Sequence, residues 1–172
     1  MNKVEGIIND FGLVFDERAI IVTDRGSNMI AAFKEKNRIC CVNHLIHNTV
    51  EEAVEGVAEI AGIIAVSQKI VKYFKKSGIN SSLRTKLKSF APTRWNTVYY
   101  LLFSIQKNWQ EITAILLDKG ETQRLYNINI NLIECITTIL AHFEEASRAL
   151  EAEKTATMHI VLMQIFLSNS SK

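Results

Sequence analysis

The alternation of apolar and polar residues divides the chain into a short mixed first part and a long helical remainder. In the first part, residues 2–10 have helical spacing, and residues 18–23 contain a continuous β-branched run that predicts a buried strand. A second short apolar run over residues 38–42 predicts another strand, and Ser27 or Asn28 can cap a helix between the two. Because a strand–helix–strand order closes through a right-handed crossover, we expect the two strands to be parallel.

From about Asn43 onwards the apolar residues recur only at helical spacing. The first expected helix is long, and Gly56 or Gly62 is expected to break or bend it. A second helix opens at Pro92-Thr93 and ends near Gly120. The predicted helices cover residues 44–76, 92–117, 130–152 and 156–167. The fold class is therefore mainly α with a small parallel β element.

Composition supports one modest globular protein and excludes several other classes. The chain has 172 residues, 48% of them hydrophobic and 22% charged, which is typical of a folded domain rather than a disordered segment. Three cysteines, two of them adjacent, do not form a disulfide framework, so the thiols are expected to be reduced inside the cell. No uncharged apolar run reaches the length of a membrane span, and the N-terminus has no signal-peptide core.

The net charge of +2 conceals an uneven distribution. Between residues 69 and 94 the chain carries basic residues and no acid. The members of this basic block are Lys69, Lys72, Lys75, Lys76, Arg84, Lys86, Lys88 and Arg94. Such a block can follow a phosphate backbone. It can equally be a solvated helix end with a polar loop, which charge alone favours.

Asp24 stands at the expected carboxyl end of the first strand, directly before a turn and a helix. Open α/β sheets place ligands at this position, and a carboxylate there can hold Mg²⁺ or Mn²⁺. The alternative is that Asp24 only caps the turn that follows. A single carboxylate does not make a two-metal site.

Two other groups of residues have the spacing of possible sites. Cys41, His44 and His47 follow one another at intervals of three, but a structural zinc site usually needs a fourth ligand, and no second pair lies nearby in the sequence. Trp95 follows Arg94 at the start of a predicted helix. An exposed indole there could stack on an extruded base while the guanidinium holds phosphate, whereas a buried one would anchor its helix in the core.

Taken in order, three motifs resemble the catalytic region of hAT-family DNA transposases. They are Thr23-Asp24-Arg25-Gly26-Ser27-Asn28-Met29, then Cys41-x-x-His44, then Thr93-Arg94-Trp95-Asn96. Cys41, His44 and Arg94 follow Asp24 by 17, 20 and 70 residues, close to the spacing of that family. A transposase-derived protein of the zinc-finger BED type is included in the resemblance.

The resemblance implies a ribonuclease-H-like core interrupted by an all-helical insertion. Asp24 matches the second of three metal-binding acids, Cys41 and His44 match a pair near the active site, and Arg94-Trp95 matches a pair that assists DNA distortion. Mg²⁺ or Mn²⁺ is the implied cofactor of the intact enzyme. DNA is the implied partner and the nucleus the implied location.

The departures from the family pattern limit what this chain is expected to do alone. No residue matches the first or the last catalytic acid, and the BED domain and dimerisation segment of the family are not found. We therefore expect residues 1–47 to be a partial ribonuclease-H-like core and residues 48–172 to be a helical insertion domain. Neither tight metal binding nor DNA cleavage is expected of this chain by itself, and homo-oligomers would form through segments it lacks. The alternative is a non-catalytic nuclear module, derived from a transposase, that binds DNA or protein.

Overall fold

The computed structural model describes residues 2–14, 16–91 and 94–151. The backbone separates into two compact units, Met1–Ile46 and His47–Lys172. Across the described residues the chain is mainly helical, with one small sheet of two strands, which confirms the predicted fold class at this level. The assignment of the units to a partial ribonuclease-H-like core and a helical insertion stays a prediction.

The first unit contains the predicted strand–helix–strand order. Its elements are α1 (Asn2–Asp10), β1 (Ile21–Thr23), α2 (Ser27–Ala32) and β2 (Arg38–Cys40). The strands are parallel, as expected, and Thr23 pairs with Cys40. Both are shorter than their apolar runs. At the end of β2, Cys41 still donates its amide to Thr23 at 2.7 Å, but its carbonyl already accepts from Leu45, so the backbone turns into a helix.

One face of this sheet is open to solvent. Val22 and Ile39 are register partners, so their side chains point to the same face, and they are 50% and 38% exposed. A two-stranded sheet is marginal by itself because its edges lack partners. Among the described residues, β1 and β2 pair only with each other.

Five helices and two short 3-10 turns follow β2 in the described part of the chain. The helices are α3 (Val42–Gly56), α4 (Ala58–Lys76), α5 (Asn96–Lys107), α6 (Trp109–Asp118) and α7 (Ile130–Leu150), and the 3-10 turns are Ile79–Ser81 and Thr122–Leu125. None of the helices in the described ranges is long and apolar enough to span a membrane. The helix predicted over residues 156–167 lies outside the described residues.

Two breaks divide the predicted long helices. The first follows Gly56, as expected, since Val57 is extended (φ −113°, ψ 103°), whereas Gly62 lies within α4. The second break, at Asn108, was not predicted. Asn108 has φ −107° and ψ 13°, and it separates α5 from α6. The later stop near Gly120 is confirmed, because this glycine adopts φ +67°, which disfavours other residues.

The core of the second unit forms where α5 packs against α4 and α7. Its fully buried apolar side chains include Ile70, Phe74, Leu101, Leu102, Ile105, Ile112, Leu116 and Ile133. These positions recur at helical spacing on each helix, so burial of one stripe per helix accounts for the packing. The core thereby fixes the direction of the opposite, charged face of α4.

Candidate functional site

Asp24 directly follows β1 and is exposed. Its Oδ1 accepts a hydrogen bond from the Gly26 amide at 2.9 Å, so the carboxylate closes the turn that leads into α2. A Cβ on Gly26 would lie 2.7 Å from Asn28 Oδ1 and 3.0 Å from Asp24 Oδ1. A larger residue here would therefore have to displace the ends of these two side chains, while the φ of −58° at Gly26 is open to any residue.

Arg38 places a positive charge beside this turn. Its guanidinium donates to Thr23 Oγ1 at 3.0 Å and to the Asp24 carbonyl at 3.2 Å. The Thr23 hydroxyl and the Asp24 carbonyl are thereby held, and a cation lies near the Asp24 backbone. The arrangement matches the turn-capping alternative, and it leaves the metal-binding role of Asp24 a prediction.

Cys41 lies at the same end of the sheet as Asp24, because its amide pairs with the residue before Asp24. His44 is one turn further along, in α3, and both side chains are half-buried. His47 lies within 3.7 Å of Glu51 through its Nε2. Within the part of the chain that the structure describes, no group of three or more His, Cys, Asp or Glu side chains is arranged to hold a metal ion. Asp24 thus belongs to no such group, and the described residues around it do not make a complete Mg²⁺ or Mn²⁺ site.

The basic block is fully on the surface, since each of its eight residues is exposed. The structure gathers Lys72, Lys75 and Lys76 along one groove of about 580 Å³. Its other lining residues are Gln68, Val71, Ser89, Phe90 and Leu101. We call this the basic groove. It combines three ammonium groups with an apolar floor, a combination suited to a phosphate backbone with its sugars.

The far wall of the basic groove is formed by Ser89 and Phe90, which belong to a segment without regular secondary structure, residues 83–91. Lys75 Nζ donates to Ser89 Oγ at 2.6 Å, which joins α4 to this segment. Leu83 and Leu87 are buried and hold it on the core. Lys86 and Lys88 are exposed on the same segment but are not among the residues that line the groove.

Side chains, rather than a neighbouring strand, hold the backbone of this segment. Asn108 Oδ1 accepts from the Thr85 amide at 3.3 Å, and Ser104 Oγ accepts from the Lys88 amide at 3.0 Å. Asn80 Oδ1 accepts from the Leu87 amide at 2.8 Å. Asn108, where the unpredicted break lies, is buried, and its side-chain amide also donates to the Ser104 carbonyl at 2.7 Å. Its side chain therefore links the end of α5 to this segment.

Arg84 and Arg94 lie outside the basic groove. Arg84 is exposed but faces Glu111, which accepts its backbone amide at 3.2 Å and lies 3.9 Å from its Nε. This acid reduces the local positive charge. Arg94 is exposed just before α5, and its amide donates to the Ala91 carbonyl at 3.1 Å. The predicted DNA contacts are thus not one continuous cluster.

Trp95 is buried, with 8% of its surface exposed. Its ring meets Phe143 edge-on, with centroids 6.5 Å apart and an interplanar angle of 78°. It also lines a cavity of about 270 Å³ with Val50, Ile64 and Val98, where Glu51 supplies a negative charge. The burial of Trp95 agrees with the alternative in which it anchors its helix in the core. Contact with a base would require the indole to leave the core.

Comparisons with known proteins address ancestry. No family model matches the sequence. Over 163 residues the chain is 33% identical to the transposase of the transposable element Hobo from Drosophila melanogaster. The aligned region covers 95% of this chain and 25% of that protein. The chain is related to a transposase. The relationship predicted from the three motifs is confirmed at that level, and the chain spans about a quarter of the length of this relative.

Sequence reasoning missed one cation beside the charged face of α4. Arg124 comes from the 3-10 turn Thr122–Leu125, thirty residues beyond the basic block, and its guanidinium lies 4.0 Å from the centroid of the Tyr73 ring. The sequence signal was only the helical face shared by Lys69, Tyr73 and Lys76. A single arginine in a polar turn gave no reason to place it there.

Proposed function

We propose that this chain is the central part of a hAT-type transposase, or of a protein derived from one, and that its helical unit binds DNA. Support for the ancestry comes from the identity to the Hobo transposase across nearly the whole chain. The ordered motifs around Asp24, Cys41 and Arg94 support the narrower family. On this proposal the first unit derives from a ribonuclease-H-like core, and the protein works in the nucleus.

The main support for DNA binding is the basic groove. Lys72, Lys75 and Lys76 converge on one concave surface, and among the described residues no acidic side chain lines it. Each phosphate that a lysine neutralises releases counterions, which gives affinity without base readout. We therefore propose non-specific contact with the DNA backbone at this groove, with Lys86, Lys88 and Arg94 on nearby sequence segments as further contacts.

DNA cleavage by this chain alone is not part of the proposal. A metal-assisted transposase site needs several carboxylates around its ions. Asp24 is the one residue that matches such an acid, and no cluster with it is formed among the described residues. In the intact enzyme, bound Mg²⁺ or Mn²⁺ would activate the attacking oxygen and stabilise charge on the phosphate. The contribution of this chain would be the Asp24 carboxylate.

The test compares two triple variants that remove equal charge. One replaces Lys72, Lys75 and Lys76 with Gln, and the matched control replaces Lys34, Lys107 and Lys119, which are also exposed. Affinity for a mixed-sequence duplex is measured by fluorescence anisotropy over a range of salt concentrations. The groove variant should make the slope of log affinity against log salt shallower by roughly 2 to 3, since each phosphate contact contributes about 0.9. Equal effects of the two triples would remove the groove from the proposal.

The second candidate function is a protein-interaction module of transposase origin. The observation that favours it is the exposed apolar pair Val22 and Ile39 on the open face of the sheet. Self-association through this face is tested by light scattering of the wild type and of a Val22→Ser, Ile39→Ser variant. Loss of an oligomer in the variant would support this function, and a monomeric wild type would count against association between copies.

A further inference from the structure

A second concave surface lies on the charged side of α4, next to the basic groove. It has a volume of about 550 Å³. Its lining residues are Lys69, Lys72, Tyr73, Lys76, Ser77 and Arg124. We call it the arginine cleft. Four of these six residues are cationic, the other two carry hydroxyl groups, and none is acidic.

Helical spacing explains why three lysines reach the same cleft. Lys69, Lys72 and Lys76 lie three and four residues apart, so their side chains lie on one face of α4. Like charges at this spacing repel one another on a helix surface. An anionic ligand in the cleft would relieve this repulsion.

Arg124 enters the cleft from a different element and is held in a defined orientation. Its guanidinium lies over the Tyr73 ring, 4.0 Å from the centroid, and its Nε donates to Glu121 Oε2 at 2.9 Å. Gln123 donates to the same oxygen at 2.8 Å, which fixes the carboxylate. An arginine bound through Nε still carries donors on its terminal nitrogens, and these suit phosphate oxygens.

The dimensions favour a polymer over a small anion. Lys69 and Lys76 are seven residues apart, about 10 Å along the helix axis. That distance equals the axial rise of about three nucleotides in one strand of duplex DNA. Lys72 and Lys76 line the arginine cleft as well as the basic groove, so the two surfaces share their cations.

We infer that the arginine cleft binds successive phosphates of a DNA strand, with Arg124 as a direct contact and Tyr73 as the residue that positions it. The inference rests on the proposed DNA binding and extends it to a residue outside the basic block. Tyr73 acts through its ring face, so its hydroxyl is not required for this role.

The experiment measures duplex affinity against salt for single variants of the full chain. Arg124→Gln should make the slope shallower by about 0.9 and weaken binding severalfold, as the loss of one phosphate contact predicts. Arg148→Gln is the matched control, because Arg148 is also an arginine paired with a glutamate, at 2.7 Å from Glu144, and is outside the cleft. Arg124→Lys should retain most of the slope, since it keeps the charge.

Variants of Tyr73 test whether the position of Arg124, and not only its charge, contributes to DNA binding. Tyr73→Phe should bind as the wild type does, and Tyr73→Leu should lose part of the salt slope without any change in net charge. Thermal melts of each variant identify any loss of folding. If Tyr73→Leu or Arg124→Gln fails to fold, the conservative single variants Tyr73→Phe and Arg124→Lys still test the inference.

Three results would overturn the inference, and they are distinguishable. If Arg124→Gln matches Arg148→Gln while the lysine triple weakens binding, the arginine cleft is wrong and the proposed function stands. If the wild type shows no salt-dependent binding to the duplex, both fail. Competition by inorganic phosphate at the same concentration as duplex phosphate would also overturn it, because the site would then be one for a free anion.

Discussion

The Tyr100 hydroxyl donates a 2.6 Å hydrogen bond to Glu144 Oε1, which joins α5 to α7 across 44 residues of sequence. Arg148 donates to the same oxygen at 2.7 Å. The hydrogen bond from Tyr100 is the main cause that lowers the pKa of Glu144, and the same bond raises the pKa of Tyr100. The bond therefore favours a charged glutamate and a neutral tyrosine.

Tyr100→Phe should lower the free energy of unfolding by about 1.5 kcal/mol near pH 7, as expected for a hydrogen bond to a charged group. Chemical denaturation measures the difference. Tyr99→Phe is the matched control, because the Tyr99 ring stacks on Phe103 and keeps that contact without its hydroxyl. An equal loss in both variants would show that the bond to Glu144 contributes nothing of its own.

The same pair predicts a pH dependence with a defined sign. A lowered pKa at Glu144 means that its contribution is present above the unfolded pKa near 4.5 and is lost as pH falls through the folded value. A raised pKa at Tyr100 means that its contribution is present below about 10 and is lost as pH rises through the folded value. The difference in stability between wild type and Tyr100→Phe should therefore shrink below pH 4.5. A constant difference from pH 3 to pH 8 would contradict this coupling.

Asn108→Ala should cost about 2 kcal/mol of unfolding free energy, because it leaves two backbone groups, one buried and one partly buried, without their partner. The two groups are the Thr85 amide and the Ser104 carbonyl. Gln110→Ala, at an exposed position of α6, serves as the control. If the two variants unfold at the same denaturant concentration, Asn108 does not anchor the segment of residues 83–91.

Trp95 should report whether the core opens when DNA binds. In a Trp109→Phe background, Trp95 is the one indole, and its burial predicts blue-shifted emission and weak quenching by acrylamide. We expect the spectrum to stay unchanged when duplex DNA is added. A red shift on binding would show that Trp95 leaves the core, as a base-stacking role requires.

Trp95→Ala should destabilise the protein by about 3 to 5 kcal/mol, the usual cost of removing a large buried aromatic side chain. Trp95→Phe should cost less, since its ring can keep part of the contact with Phe143. Denaturant titration checks both. A loss below about 1 kcal/mol for the alanine variant would be incompatible with a core anchor.

The chain should not nick supercoiled DNA in the presence of Mg²⁺ or Mn²⁺. The physical reason is that Asp24 has no cluster of further acids around it among the described residues. Gel assays of the wild type and of Asp24→Ala measure this directly. Cleavage by the wild type that Asp24→Ala abolishes would show that the chain assembles an active centre, for instance between copies.

Local patterns predicted the elements of the first unit because each depends on neighbouring residues. The β-branched run before Asp24 forms a strand, and Gly26 lies in the turn that the Asp24 carboxylate closes. The break at Gly56 was also foreseeable from residue type. The break at Asn108 was not, and the Thr85 amide that its side chain binds is distant in sequence.

The candidate site was predictable in its members but not in its grouping. Lys72, Lys75 and Lys76 share a groove because they lie on the same helix, and because Lys75 donates a hydrogen bond to Ser89 on the opposite wall. Arg84 is separated from them by its pairing with Glu111, a residue of α6. Tertiary contacts of this kind leave no periodic signal in a single sequence.

The segment of residues 83–91 is held in a way that determines how this surface can change. Each of its side-chain-bonded amides depends on a different residue, and these residues are Asn80, Thr97, Ser104, Asn108 and Glu111, whereas a strand in a sheet is held by a shared ladder. One substitution can therefore release one amide and leave the others in place. Over evolutionary time, single substitutions can therefore change the direction of the Lys86 and Lys88 side chains, while the core beneath them keeps its packing.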